Sequence, residues 1–575
     1  MTKVMNDFHL SLLSKINAVN LCKPDDVYFS VSSQYERDSF FYEESGSFLL
    51  LIGVCYNKAE LLLGVSENWP KEFFHRFQDN CRELLLQIEG YFGGLYYDAI
   101  RDELLLFTDH LSTIPIYYFR SDRILVVDTD LFRLAKELRK RGQSVCLSEF
   151  GAYSMLAYSF MLDNFTLLDK VYKVRPASLY SCFTGNEEKY FEYYTYEKDT
   201  AYSPESIAEG IDILFRRAVL DSFSADGEKS HLVTLSGGLD SRMCLFYALK
   251  NGFQDITTLN YSQTFYREET IAKAIAADCH CEHIFFSLDN GNYLANINEG
   301  ILATQGMSTY RPILSARMIW KKLQMNRFGF VHSGLLGDAI LGGYCIEKCN
   351  VDDRFHSPLD FAIQLNAKNK LVLSASYKEA YIKLFERILD WISTEKLFVL
   401  PSEKYVLDNR YINGLMQSAL GTRDVAVLSS PYTGKRLMKY VYSFPSFLRL
   451  NHNLYFTWMK KYMPEATNYR WENTNMKPVY GRINVKPRTW FVDFCRWLDL
   501  KAYPKKPERS RNPYNYWMYY NDRIQKELYD YCAGRMELLS GYRELMETAQ
   551  CILKDQNIYM LIRLATLLGF LHMCL

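Results

Sequence analysis

No charge of one sign dominates this 575-residue chain: 67 basic residues balance 67 acidic ones, and no dense basic block occurs. Binding a phosphate backbone takes a concentrated positive surface, so no nucleic-acid partner is expected. A paired-cysteine framework is lacking too. The 14 cysteines are scattered, and Cys55, Cys244 and Cys495 sit in apolar runs, which suits reduced core thiols in a cytoplasmic protein. The cluster Cys279-His280-Cys281-Glu282-His283 is too tightly spaced for the usual zinc ligand pairs. Nothing in Met1 to Lys15 reads as a cleavable signal. No membrane span is expected either. The most apolar stretch, Ile558 to Leu575, is interrupted by Arg563 and His572, so it reads as a buried terminal helix. Internal repeats and low-complexity tracts are absent, and the length suits two or three domains.

What the chain does carry is concentrated in His231 to Met243, HLVTLSGGLDSRM. An apolar strand breaks into Ser236-Gly237-Gly238-Leu239-Asp240-Ser241 and resumes as a helix. Two glycines let backbone N–H groups approach a phosphate, Ser236 and Ser241 add hydroxyls, and the helix offers its positive end. Asp240 would repel that phosphate unless a divalent cation sat between them, so the loop predicts Mg²⁺-nucleotide binding. A second strand-to-helix turn follows at Phe328 to Tyr344, with Ser333-Gly334, Gly337-Asp338 and Gly342-Gly343. Asp338 is expected to share the metal with Asp240, since Mg²⁺ commonly takes one or two carboxylates plus phosphate oxygens and water.

The first loop resembles that of the pyrophosphate-loop ATPases, which cleave ATP between the α and β phosphates. With the second loop in order behind it, the chain resembles the asparagine synthetase superfamily. The expected fold is α/β: an N-terminal Ntn-hydrolase-like β-rich (αββα) domain, then a pyrophosphate-loop (HUP-like) parallel α/β synthetase domain with a helical cap. The expected boundaries are 1–195 for a degenerate type 2 glutamine amidotransferase-like domain, 196–204 for a linker, 205–500 for the ATP-binding domain and 501–575 for a helical extension. Strands are expected at His231 to Leu235, Ile256 to Tyr261, Ile284 to Ser287 and Phe328 to Val331. Helices are expected at Met243 to Lys250 and Glu269 to Ala277, and from about Asp408 onward.

The N-terminal part resembles the glutaminase domain of asparagine synthetases at Gly90, Phe92, Tyr97-Asp98, Asp109 and Pro115-Ile116-Tyr117-Tyr118, and the cap at Arg423 and Pro431-Tyr432. Such glutaminases use a cysteine directly after Met1; here Thr2 stands there and Cys22 is the first cysteine. Lys3 to Asn20 reads as a polar start and an amphipathic helix, not the strand on which an N-terminal nucleophile is mounted. The glutaminase is therefore expected to be inactive, as in the β-lactam synthetases and lasso-peptide cyclases.

The resemblance implies ATP and Mg²⁺ as cofactors. It assigns Leu235, Ser236, Gly237, Gly238, Asp240, Ser241, Leu259, Ser333 and Gly334 to ATP and pyrophosphate, Asp240 and Asp338 to the metal, and Lys477 with both aspartates to catalysis. Two positions depart from the family: Leu335 stands where asparagine synthetases have glutamate, and Arg470 is followed by Trp471-Glu472-Asn473, so that Lys477 is the nearest lysine downstream. Three functions stay open: a ligase joining a small-molecule or peptide carboxylate to an amine through an acyl-adenylate, an amidotransferase fed ammonia by a separate glutaminase, and a nucleotide-binding regulator without turnover. Neither oligomeric state nor substrate identity follows from the sequence.

Overall fold

The computed structural model describes residues 7–13, 27–30, 38–62, 68–194, 203–342, 379, 382–384, 386, 401–478 and 511–574. Its N-terminal strands are β1 (Asp7–Leu13), β2 (Val27–Ser30), β3 (Phe40–Glu44), β4 (Ser47–Cys55), β5 (Gly90–Asp98), β6 (Glu103–Thr108), β7 (Tyr117–Arg120), β8 (Ile124–Asp128), β9 (Val171–Lys173), β10 (Ser178–Ser181) and β11 (Glu187–Lys189). They form two antiparallel sheets, ordered β2-β1-β8-β7-β9 and β11-β10-β6-β5-β4-β3. Side chains alternate across a strand, and β8 shows the consequence. Leu125 and Val127 join the core shared with the second sheet, while Ile124 and Val126 join the core formed with helices Leu131–Lys140 and Glu149–Tyr158. On the second sheet lies helix Trp69–Gln87, whose Phe77 ring sits 5.1 Å from Tyr96 and 5.0 Å from Phe107. Helix, sheet, sheet, helix is the expected αββα layering.

One expectation fails here. The N-terminal segment, read as an amphipathic helix, is a strand over Asp7–Leu13, paired on both sides with β2 and β8. Phe8 and Leu10 are buried and His9 Nδ1 lies 2.7 Å from Asp128 Oδ2. A ladder contributed by β8, over a hundred residues away, outweighs local helical spacing. Thr2 and Cys22 lie outside the described residues.

The second half is a parallel sheet, ordered β14-β13-β12-β15-β16, from β12 (Ser230–Thr234), β13 (Ile256–Ser262), β14 (Glu282–Ser287), β15 (Phe328–His332) and β16 (Leu428–Ser429). Helices Leu239–Lys250 and Arg267–Asp278 follow β12 and β13, starting four and two residues before the expected positions. The first begins inside the Ser-Gly-Gly-Leu-Asp-Ser motif, so Asp240 and Ser241 lie in its first turn. β16 interrupts the region expected to be all helix, because Leu428 and Ser429 pair with Val331 and His332 at the sheet edge. The run Val406–Met416 is π-helical, and its Asn413 Nδ2 donates to the Asp163 carbonyl at 2.7 Å, tying the cap to the N-terminal sheets.

Helix Ile558–Cys574 is buried against helices Glu149–Tyr158 and Ile297–Thr304. Arg563 does not break it. Its Nη1 donates to the carbonyls of Leu156 at 2.7 Å and Ala157 at 2.9 Å, satisfying groups at the C-terminal end of Glu149–Tyr158. Among the described residues, no helix is long and apolar enough to cross a membrane.

Candidate functional site

The site lies at the carboxyl ends of β12 and β15, where open α/β sheets bind ligands. At the end of β12 the Ser236 N–H donates to Ser241 Oγ at 2.9 Å, the two hydroxyls are 2.9 Å apart, and the Gly238 N–H donates to Ser236 Oγ at 3.1 Å. These bonds fix the shape of the loop. Arg242, fully buried in the next turn, donates from Nε to the Gly238 carbonyl at 3.0 Å and from Nη2 to Gly237 at 3.0 Å. Its remaining bonds reach the carbonyls of Ala466, Tyr469 and Arg470 at 3.1, 3.2 and 2.7 Å. One guanidinium therefore fastens the loop to the segment after the cap.

The second loop docks on the first through its glycines. A Cβ on Gly334 would lie 2.6 Å from Asp240 Cβ and from the Ser241 nitrogen, and one on Gly337 would lie 2.4 Å from Asp240 Cγ. That closeness lets the Asp338 N–H donate to Asp240 Oδ2 at 3.0 Å. Ser333 is anchored by its N–H to the Ser429 carbonyl at 2.9 Å, and its Oγ accepts from Leu335 N–H at 3.0 Å. Burial, then the nearby Asp338 carboxylate, pushes the Asp240 carboxyl up to about 8. Two hard oxygen donors crowded at the mouth of a hydroxyl- and amide-lined loop fit a Mg²⁺ ion, whose charge would relieve this mutual repulsion.

Of the residues expected at the site, the fold brings together Ser236, Gly237, Gly238, Asp240, Ser241, Ser333, Gly334 and Asp338. Leu235 and Leu259 are also adjacent: the Leu235 N–H donates to the Leu259 carbonyl at 2.8 Å, and Asn260 Nδ2 donates to the Leu235 carbonyl at 3.0 Å. Lys477 is not brought in. It stands exposed just past the Trp471–Met476 bridge, without a polar contact to another described residue. Its neighbour Glu472 does reach the loop, donating its N–H to the Gly237 carbonyl at 3.0 Å. His452 was not foreseen; its Nε2 lies 2.5 Å from Asp338 Oδ1. Nor was Tyr455, whose hydroxyl lies 2.8 Å from that of Tyr432, which in turn donates to the Asp240 carbonyl at 3.3 Å. Both arrive from the cap more than a hundred residues downstream, with only Pro431-Tyr432 as a local cue.

The Cys279 to His283 cluster forms no ligand set among the described residues; His283 Nδ1 lies 2.8 Å from Thr258 Oγ1, and burial pushes the Cys279 thiol up to about 11. A different group, Asp226, His231 and His332, has suitable ligand atoms close together. Asp226 Oδ2 lies 2.6 Å from His231 Nδ1 and 2.7 Å from His332 Nε2, and Oδ1 accepts from the Phe330 N–H at 2.7 Å. This buried group fastens the end of helix Pro204–Ser224 to β12 and β15.

Residues 210–406, including both loops, match the asparagine synthase family profile. Over these residues the chain is similar to asparagine synthases. A stretch of 159 residues, 27% of the chain, is 27% identical to the amidase chry2 of Gibberella zeae and spans only 22% of that protein's length. Glutamine phosphoribosylpyrophosphate amidotransferase from B. subtilis, complexed with ADP and GMP, is 9% identical over 49% of this chain and 60% of that one, with a TM-score of 0.21. The allosteric regulatory enzyme of purine biosynthesis is 8% identical over 50% of this chain and 75% of that one, at 0.22. Likenesses that low carry no argument. The likeness to asparagine synthases rests on the family match and the paired loops, and it supports an ATP-dependent carbon–nitrogen ligase or amidotransferase.

Proposed function

We propose that this protein is an AMP-forming amide ligase that adenylates a small-molecule or peptide carboxylate and transfers the acyl group to an amine, without glutaminase activity of its own. The observation that carries this is the pair Asp240 and Asp338, held together across two glycine loops. A substrate carboxylate oxygen attacks the α-phosphorus and the bond to pyrophosphate breaks. The Ser236 and Ser241 hydroxyls and the Gly237 N–H would receive the departing charge, with the Gly238 N–H holding Ser236 Oγ in place at 3.1 Å, and preorganised donors of this kind are worth about 3 kcal/mol each. Mg²⁺ on Asp240 and Asp338 would supply further neutralisation of the leaving group. The amine nitrogen then attacks the acyl carbon, loses a proton and displaces AMP, leaving an amide.

ATP turnover in the presence of candidate acids and amines is expected to yield AMP and pyrophosphate; ADP and phosphate as products would overturn the assignment. Glutamine in the same assay is expected to release no glutamate. Thr2, in the position where such glutaminases carry cysteine, supports that expectation. The alternatives are ammonia supplied by a separate glutaminase, which predicts activity with free ammonium, and a regulator, which predicts ATP binding without AMP release.

Lys477 remains the cation proposed to arrive late, when charge gathers on the tetrahedral intermediate and the departing AMP. Its exposure limits the effect: a solvent-screened charge contributes about 1 kcal/mol. Lys477→Ala is therefore expected to leave ATP affinity unchanged and lower product formation about fivefold. Unchanged product formation at saturating substrate would remove it from the mechanism.

A further inference from the structure

Two more carboxylates stand behind the first phosphate loop. A Cβ on Gly237 would lie 3.0 Å from Glu472 Cβ and 3.4 Å from Glu268 Cγ. Glu268 is fully buried and its Oε1 accepts from Asn260 Nδ2 at 3.0 Å, while Glu472 Oε1 accepts from the Tyr266 hydroxyl at 2.5 Å. Acidic groups beside a cradle for phosphate oxygens repel the ligand unless a cation stands with them. Arg242 is buried and committed at Nε, Nη1 and Nη2 to backbone carbonyls. Arg511 is differently placed. Its carbonyl accepts from the Gln263 N–H at 2.9 Å, one residue past the end of β13, so this part of the C-terminal extension lies on the ligand-binding edge of the sheet. The Arg511 guanidinium lies 4.7 Å over the Tyr261 ring, with Nε 3.5 Å from Glu268 Oε1. Nε is buried without a hydrogen-bond partner, no described residue accepts a hydrogen bond from Nη1 or Nη2, and the side chain is 37% exposed.

A guanidinium that is stacked, anchored through its own backbone and left with donors that no described residue fills is a preorganised fork for anionic oxygens. We propose that Arg511 binds an oxygen of the nucleotide's polyphosphate beside Gly237, so that the C-terminal extension completes the ATP site. This rests on the ligase reading above and assigns the extension a part in nucleotide recognition. Glu268 positions the fork from its Nε edge and Tyr261 from its face.

Calorimetric binding of Mg-ATP, and separately of inorganic pyrophosphate, to the 575-residue chain tests the proposal. Arg511→Gln is expected to weaken both ligands about tenfold or more, as loss of a charge-assisted bond requires. The double variant Arg511→Gln/Glu268→Gln is expected to stay weak. Wild-type affinity for both ligands in Arg511→Gln overturns the proposal. So does recovery of wild-type affinity in the double variant, which would reduce Arg511 to a counter-ion for Glu268. Where Arg511→Gln does not fold, Arg511→Lys decides: it keeps the charge but loses the fork, so about threefold weaker pyrophosphate binding is expected and unchanged affinity overturns the assignment. A wild-type protein that binds neither ligand overturns the ligase reading itself, and this proposal with it.

Discussion

Asp240→Asn is expected to lower pyrophosphate release by about 100-fold or more while leaving the fold intact. The amide is nearly isosteric and keeps an oxygen for the Asp338 N–H, which Asp240 Oδ2 now accepts at 3.0 Å. What it removes is charge beside the leaving group, and loss of one such element costs about 2.7–4 kcal/mol in comparable sites. The same argument gives a pH dependence. Burial and the Asp338 charge push the Asp240 carboxyl up to about 8, so without metal the protonated form prevails below that pH. Only the ionised form is a metal ligand. Mg²⁺ affinity is therefore expected to rise as pH increases toward about 8, and to lose that dependence in Asp240→Asn. Pyrophosphate release by the variant within threefold of wild type would show that Asp240 is not the metal-bearing residue.

Both glycine loops were legible because their backbone geometry is local. A strand end, two glycines, a hydroxyl and a carboxylate at the next helix start occupy consecutive positions, and the backbone geometry they need is set within a few residues. Asp240 and Asp338 were recognisable for that reason, although no spacing rule gives the 3.0 Å contact between their loops. β1 was not legible. Phe8 and Leu10 fit a strand, but Leu12, Leu13, Ile16 and Val19 also satisfy a helical stripe, and only the distant β8 decides between them. The same limit hid His452, Tyr455, Glu472 and Arg511, each an ordinary cap or extension residue until the fold carries it to the crevice. Leu428 and Ser429 became a sheet edge for a similar reason: β15 offers unpaired backbone there, and two residues of extended chain suffice to take it up.

Arg242 is the strongest case of a residue whose role comes from the assembled fold, and Arg242→Ala is expected to cost about 3–5 kcal/mol of stability. Burial lowers its guanidinium to about 10, which still leaves it charged at neutral pH. The charge is compensated by backbone dipoles: the carbonyls of Gly237 and Gly238 on one side, and of Ala466, Tyr469 and Arg470 on the other. Truncation takes a donor from each of five carbonyls, of which Gly237 keeps the Glu472 N–H, and opens a cavity at their centre, both recognised routes to large losses. Two consequences should appear together. The apparent melting temperature falls, and ATP affinity falls with it, because the Glu472 N–H to Gly237 carbonyl bond at 3.0 Å depends on the same junction. Hydrogen exchange at Glu472 is expected to accelerate in the variant. Arg242→Lys should recover only part of each loss, since three donors on a point charge cannot span five acceptors arranged for a planar fork. A variant with alanine at this position that melts with wild type and keeps Glu472 protected would mean that the loop holds its shape without the clamp.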